Sequence, residues 1–477
     1  MRKKIALQFI VSNAAILANL LLTIALARLL TPTEVGIFSM GAVFVAIAHV
    51  FRDFGVSSYL KREATINDEI IRSASGLLIT SSWIVAATVF LSAPLWGALF
   101  SEPKVADVVR VLALGFVFIP FGAIPEALLT REYEVATLAK VSAVVVSIYC
   151  ATSLSLAWLN FGHMTMAWAN LVNIIATGIA YRWIMRARLP LLPSIHGWGR
   201  MLNFGFGNLV TAILKACDNA LPDILLGRLG NPTLVGLFSR ANSTVNLLNT
   251  AITPTIQFFA LPYLAKLHHA TGNMDREYLH ASSIIQCVLL PALAGIAIMA
   301  PEIVMFLYGP QWQGSIPVIP WLCAVFALPA TFMLTTAAVT GQGRPYAVAV
   351  PLLLTLAAKI GGVLWLFDST LIGFAKGLLL GQVIATPAYI WVNWRYLSVS
   401  PISWASNLLR VAPPIGVAVL LTLATKAAWL SQLPVLLSLI AAVILFSTSI
   451  VLTYLLTRLP IRNEILRVGK LLLKKHD

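Results

Sequence analysis

Fourteen apolar runs follow one another along this 477-residue chain, at roughly 6–30, 36–58, 74–100, 106–129, 137–160, 164–185, 200–229, 233–264, 280–308, 313–341, 346–367, 370–394, 407–430 and 434–457. A run of about 18–25 apolar residues is long enough to cross the ~30 Å hydrocarbon core as a helix. Backbone crossing lipid must satisfy its own hydrogen bonds, which leaves helices and closed barrels, and runs of this length are helical. The connections are too short to hold a soluble domain. Composition points the same way, with 59% hydrophobic and 11% charged residues and a mean hydropathy of +0.87, where a soluble chain carries about a quarter charged residues. The expected fold is an all-α integral membrane protein of about fourteen transmembrane helices.

The first run, from Ile5 to Leu30 behind Arg2, Lys3 and Lys4, is too long for the apolar region of a signal peptide, about 7–15 residues. It reads as an uncleaved first helix. The formal net charge of +15 invites a nucleic-acid reading until the basic residues are placed along the fourteen runs. With the N-terminus inside, 24 of the 33 Lys and Arg fall on the cytoplasmic side, seven outside (Arg28, Lys104, Arg110, Arg228, Arg240, Lys376, Lys426), and Lys215 and Lys359 in mid-helix. This is the positive-inside bias. It accounts for the basic chain without a nucleic-acid partner and puts both termini in the cytoplasm. Cys150, Cys217, Cys287 and Cys323 lie within apolar runs without CxxC spacing, so they read as core thiols, and no metal site or cofactor is expected.

An internal repeat appears at an offset of 200. From Asn19/Asn219 to Ser39/Ser239, 12 of 21 positions are identical without a gap, including Arg28/Arg228, Pro32/Pro232, Thr33/Thr233 and Gly36/Gly236. Pro closes one helix and Gly is expected to let the next start tightly against it. Six runs separate the copies, an even number, so both halves enter the membrane from the same side. Two parallel six-helix lobes follow, 1–185 and 199–397, with a cavity between them. The last two helices, 404–458, and a basic cytoplasmic tail, 459–477, fall outside the repeat. The run from Arg458 to Lys475 suits the anionic inner leaflet.

This architecture, with the strings LARLLTPTEVGIFS and LPDILLGRLGNPTLVGLFSRAN, resembles the polysaccharide-transporter branch of the multidrug/oligosaccharidyl-lipid/polysaccharide (MOP) exporter superfamily. The resemblance implies a flippase for undecaprenyl-pyrophosphate-linked oligosaccharides in the bacterial inner membrane, serving O-antigen or exopolysaccharide biosynthesis. It also implies a cavity alternately open to the two sides. Expected partners are the lipid-linked oligosaccharide, membrane lipids, and polysaccharide polymerase and export proteins.

Ionisable groups at bilayer depth are costly and are the first candidates for function. Lys215 lies 15 residues from Arg200 and 13 from Arg228, about 22 Å and 20 Å along a helix and hence near mid-depth. Asp218 shares its face, and Pro222 and Asp223 follow, suggesting a polar, interrupted helix lining water. The first copy has Ala15, Ala18, Leu22 and Thr23 at these positions, while Asn19 and Asn219 persist. Lys359 is also near mid-depth, and Arg52 sits toward the inner end of the second run. A pyrophosphate head needs cations where water is scarce, so Lys215, Lys359 and Arg52 are candidate substrate contacts, with Asp218, Asp223, Asn19 and Asn219 lining the cavity. The bland alternatives are a Lys215–Asp218 pair buried for packing, snorkelling of Arg52, and burial of Lys359 against another helix. Arg28 and Arg228, at equivalent outer helix ends, are interfacial anchors or an outer gate.

Gly373, Gly377 and Gly381 form a small-residue stripe suited to close helix packing. Six prolines between 291 and 329 suit bending. His268-His269 has no ligand at metal spacing, and Gly205-Phe206-Gly207 and Gly341-Gln342-Gly343 lack the strand–loop–helix context of a phosphate loop. No catalytic constellation is apparent, which sets aside a membrane glycosyl- or acyltransferase. Within the superfamily, a cation-coupled multidrug antiporter using Asp218 or Asp223 is the competing reading.

Overall fold

The computed structural model describes residues 2–53, 55–63, 65–184, 193–195, 197–250, 275–342, 344–429, 432–457, 459–462 and 466. Among these residues the chain is helical, with no strand. The elements are α1 (Arg2–Leu29), α2 (Pro32–Asp53), α3 (Val56–Arg62), α4 (Asp68–Leu99), α5 (Lys104–Arg131), α6 (Val135–Trp158), α7 (Thr165–Ile184), α8 (Trp198–Leu229) and α9 (232–250). They continue with α10 (Asp275–Ile298), α11 (Ala300–Leu307), α12 (Ile319–Ala330), α13 (Thr335–Gly341), α14 (Ala349–Leu366), α15 (Leu371–Leu397), α16 (Pro401–Ala428) and α17 (Val435–Leu456).

Wherever the fourteen apolar runs are described, they carry helix, and ten of these helices are long and apolar enough to cross a membrane. The chain is therefore a multi-pass membrane protein. The runs that do not count among the ten are those of α1, α7, α8 and α9. His268-His269 and most of the basic tail lie outside the described residues.

Three runs are less simple than their hydropathy. The second breaks at Gly55, whose φ of 73° ends α2 and starts the short α3. The ninth divides at Met299 into α10 and α11, with Pro301 in the first turn of α11, where a missing N–H does no harm. The tenth is a 3-10 segment (Pro310–Val318), then α12, then a turn at 331–334 held by i to i+3 bonds, then α13. Helix starts are set by short polar side chains. The Asn67 Oδ1 accepts from the Ile70 N–H at 2.9 Å, and Thr370 and Ser400 accept from Gly373 and Ser403, both at 3.0 Å. Three hairpins turn by one device: Ser101, Tyr133 and Asn160 take a left-handed φ. The next N–H of each, on Glu102, Glu134 and Phe161, reaches back to Gly97, Leu129 and Leu156.

The chain divides into two compact units, Met1–Ser239 and Arg240–Asp477. That division falls within α9, whereas the repeat in the sequence led to an expected division at 185–199. In the first unit, α5 packs on α2, α4 and α7, α6 on α1 and α7, and α8 on α2, α3 and α4. One end is filled by Leu60, Leu77, Leu78, Leu128, Tyr181 and Met201. Arg131, at the end of α5, donates to the carbonyls of Leu60 and Glu63, placing a cation at the C-terminus of α3.

In the second unit α14 and α15 form the tightest pair. The glycine stripe works as expected: a Cβ on Gly377 would lie 2.6 Å from the Val363 Cα, and one on Gly381 would overlap the Lys359 backbone. Helices α16 and α17 pack on α10 and α11 through Val411, Ala418, Phe446, Ile450 and Tyr454. Tyr454 donates to the Cys287 carbonyl at 2.8 Å, and Asn407 donates to Gln286 at 3.3 Å. The Lys426 ammonium meets Glu302 at 2.8 Å and the terminal carbonyl of α10, Ile298, at 2.9 Å. A closed polar ring, Tyr278–Thr335–Asn393, joins α10, α13 and α15 with every member buried and bonded at 2.9–3.1 Å.

Candidate functional site

Within the first unit, α8 carries Lys215, Asp218, Asn219, Pro222 and Asp223 at i, i+3, i+4, i+7 and i+8. That spacing places them on a single face. Lys215 and Asn219 are exposed, and Asp218, Pro222 and Asp223 are half-buried. One turn further on, Leu226 is fully buried and Gly227 meets Phe100 and Met40, so α8 passes from a polar stripe to a packed end. The helix is continuous through Pro222, which corrects the interrupted helix expected there. The single backbone bond that Pro222 removes is absorbed without breaking the helix. Lys215 makes no hydrogen bond or ion pair with any described residue, so the packed Lys215–Asp218 pair does not form. Asn19, on α1, is exposed and spends its amide on its own helix, donating to the Ala15 carbonyl at 2.9 Å.

Arg52, in the last turn of α2, is half-buried beside α4, where the Ser81 hydroxyl donates to the Arg52 carbonyl at 2.8 Å. Arg28 and Arg228 occupy the last turns of α1 and α8 and are exposed. Lys359 belongs to the second unit and is buried where α14 and α15 come closest. The stripe on α8 thus gathers Lys215, Asp218, Asn219 and Asp223, and the remaining candidates stand on other helices.

Next to α8, the two repeated turns face each other about a local pseudo-two-fold axis. A Cβ on Gly36 would overlap the Pro232 carbonyl, and one on Gly236 would overlap the Pro32 carbonyl. These glycines therefore serve the crossing of α2 with the start of α9, not the tightness of their own hairpins. The hydroxyls of Thr33 and Thr233 lie 2.9 Å apart, and Ser39 donates to Ser239 at 3.2 Å. Each such bond is worth about 1 kcal/mol and is readily exchanged for water.

The second unit holds a cation that sequence reasoning set aside as an outer-side charge. Arg240, on α9, is 6% exposed, with its guanidinium carbon 4.9 Å from the Trp312 ring centre and 5.3 Å from that of Tyr308. Its Nε is buried without an acceptor among the described residues. The signal lay one residue beyond the identical window, where the first copy has Met40.

A family model described as "Polysaccharide biosynthesis protein" matches residues 25–317, more than half of the chain. The chain belongs to the polysaccharide biosynthesis protein family. This polysaccharide biosynthesis protein is similar to the lipopolysaccharide biosynthesis protein WzxC of Escherichia coli (strain K12), 25% identical over 370 residues that cover 76% of this chain and 74% of that one. Its fold matches the lipid II flippase MurJ in an inward closed conformation, with a TM-score of 0.73 at 13% identity over 94% of this chain and 99% of that chain. An inward-facing multidrug resistance MATE family transporter of the MOP superfamily matches with a TM-score of 0.66 at 18% identity, over 80% and 95%. At these identities the structural likeness is one of fold. The likeness of fold covers most of the chain, beyond the two turns whose strings carried the resemblance in sequence.

Proposed function

We propose that this chain is a flippase that moves an undecaprenyl-pyrophosphate-linked oligosaccharide across the bacterial cytoplasmic membrane by alternating access, for O-antigen or exopolysaccharide assembly. The observation that carries the reading is the polar stripe on α8. An exposed lysine near mid-depth, with no partner among the described residues, faces either lipid or water, and lipid is far too costly. A water-lined cavity is the remaining environment, and there Lys215 would hold the diphosphate while the polyprenyl tail stays in lipid. Family membership supports this reading, as do the lipopolysaccharide role in the name of WzxC and the lipid II flippase activity in that of MurJ.

The proposal includes fourteen spans, lobes at 1–185 and 199–397, the helices of 404–458, and both termini in the cytoplasm. Lys359, Arg52, Asp218, Asp223, Asn19 and Asn219 are proposed as further cavity residues, and Arg28 and Arg228 as an outer gate. Carboxylates on the same stripe, with the MATE fold, favour a cation-coupled multidrug antiporter as the second reading. Drug-resistance profiling with and without the gene separates the two.

The test is Lys215→Ala. Surface polysaccharide is expected to fall roughly tenfold or more, since a charge-assisted contact is lost, while the protein remains inserted. Normal polysaccharide with this variant would overturn the site.

A further inference from the structure

At one end of the second unit, two arginines converge on one aromatic ring. The guanidinium carbon of Arg344, which precedes α14, lies 5.4 Å from the centre of the Tyr396 ring, and that of Arg395, in the last turn of α15, lies 5.8 Å from it. The two cations are therefore within about 11 Å of each other. The ring stands on fixed ground. Gln342 donates to the Tyr396 carbonyl at 2.9 Å, and the side chain packs on the buried cluster of Tyr278, Leu334, Val339, Val392 and Leu397.

Both arginines are exposed, and neither makes a side-chain hydrogen bond or ion pair with any described residue. The sequence explains why. From Ile303 to Asn463 the only acidic residue is Asp368. It sits between α14 and α15 at the far end of that hairpin, about 27 Å away along 18 residues of helix. Asp275 and Glu277, at the start of α10, pair with neither arginine. Two like charges held on one ring call for an anion, and no described residue provides one there.

The surroundings indicate where that anion resides. Trp394, Trp391 and Tyr346 are 57%, 48% and 55% exposed beside the two arginines in sequence. Exposed Trp and Tyr at the end of a membrane helix mark the headgroup level of a bilayer. Arginine pairs recognise phosphate oxygens with directed, charge-assisted bonds.

We infer that Arg344, Arg395 and the Tyr396 ring form a binding site for the phosphate of an anionic membrane lipid. The site is independent of the α8 stripe. On the orientation proposed above it would lie at the cytoplasmic leaflet, where anionic headgroups attract basic residues.

The full chain is reconstituted in nanodiscs of mixed phosphatidylglycerol and phosphatidylcholine, and bound lipid is counted by native mass spectrometry. The wild type is expected to retain phosphatidylglycerol over phosphatidylcholine. The Arg344→Gln/Arg395→Gln variant is expected to lose that retention roughly tenfold, and Arg182→Gln, an equal charge change on α7, is expected to leave it unchanged. Should the double variant fail to fold, each single substitution must weaken retention by itself. Undiminished phosphatidylglycerol in the double variant overturns the site, as does equal retention of phosphatidylcholine. Displacement of the lipid by excess inorganic phosphate would show a free-anion site instead, and would equally overturn it.

Discussion

The two copies of the repeated turn, 19–39 and 219–239, share their geometry and differ in how they achieve it. In the first, Thr31 and Glu34 form a reciprocal cap: the Thr31 N–H and hydroxyl donate to the Glu34 carboxylate at 2.8 and 2.9 Å. In the second, Leu234 replaces Glu34, and the Asn231 side chain caps α9 directly, accepting from the Leu234 N–H at 2.9 Å. Two solutions to the same orphan donors leave Pro32, Thr33, Gly36 and Ser39 free to meet their counterparts. The copies part on both flanks of the turn. Charge enters only the second, as the α8 stripe before it and as Arg240 after it. A shared element that closes on itself is thus bordered, in the second copy alone, by charged side chains close in sequence.

The largest effect expected from breaking this asymmetry is the loss of export in Lys215→Ala, while Ala15→Ser at the equivalent place in α1 leaves export unchanged. Next is Gly36→Ala. Its Cβ would overlap backbone that cannot yield, so α2 and α9 must part, destabilising the protein by about 1–3 kcal/mol in thermal or denaturant melts. A fully wild-type melt would mean that the two turns do not touch. Arg240→Met, which copies Met40 into the second half, is expected to stay within about 1 kcal/mol of wild type. It removes cation–π attraction and an unsatisfied buried donor together. If that melt instead drops by several kcal/mol, the charge and not the volume holds α9 against Tyr308 and Trp312. The smallest effect is Asn231→Ala, which forfeits the cap of α9 for about 1 kcal/mol, read in the same melts.

Much of the fold was legible because lipid leaves few options. A long apolar run is a helix, and runs such as those of α4, α5 and α17 needed no further information. What hydropathy could not show is where a run breaks. Gly55, Met299 and the 331–334 turn are decided by a positive φ or by proline placement inside segments that are uniformly apolar. The stripe on α8 was readable from i, i+3, i+4, i+7 and i+8 spacing, but its continuity through Pro222 was not, since one missing N–H can bend, break or spare a helix. The pairing of the two turns escaped because identity at an offset of 200 says that two segments are alike, not that they touch. Arg240 escaped for a simpler reason. The charge count placed it among the outer-side cations, and only tertiary structure brings Tyr308 and Trp312 around it.

Helices α16 and α17 lie outside the repeat, yet the second unit relies on them. The Glu302 carboxylate finds its ammonium in Lys426, the last carbonyl of α10 finds its donor there too, and Gln286 is answered by Asn407. Anyone mapping sidedness with reporters fused at successive loops should expect a discontinuity at this point. A reporter joined after Leu397 would leave a half-buried acid uncompensated and an apolar face of α10 without its cover, and its signal would report degradation rather than location. Fusions that retain the chain through Leu456 carry their own counter-charge and are the ones whose readings can be believed.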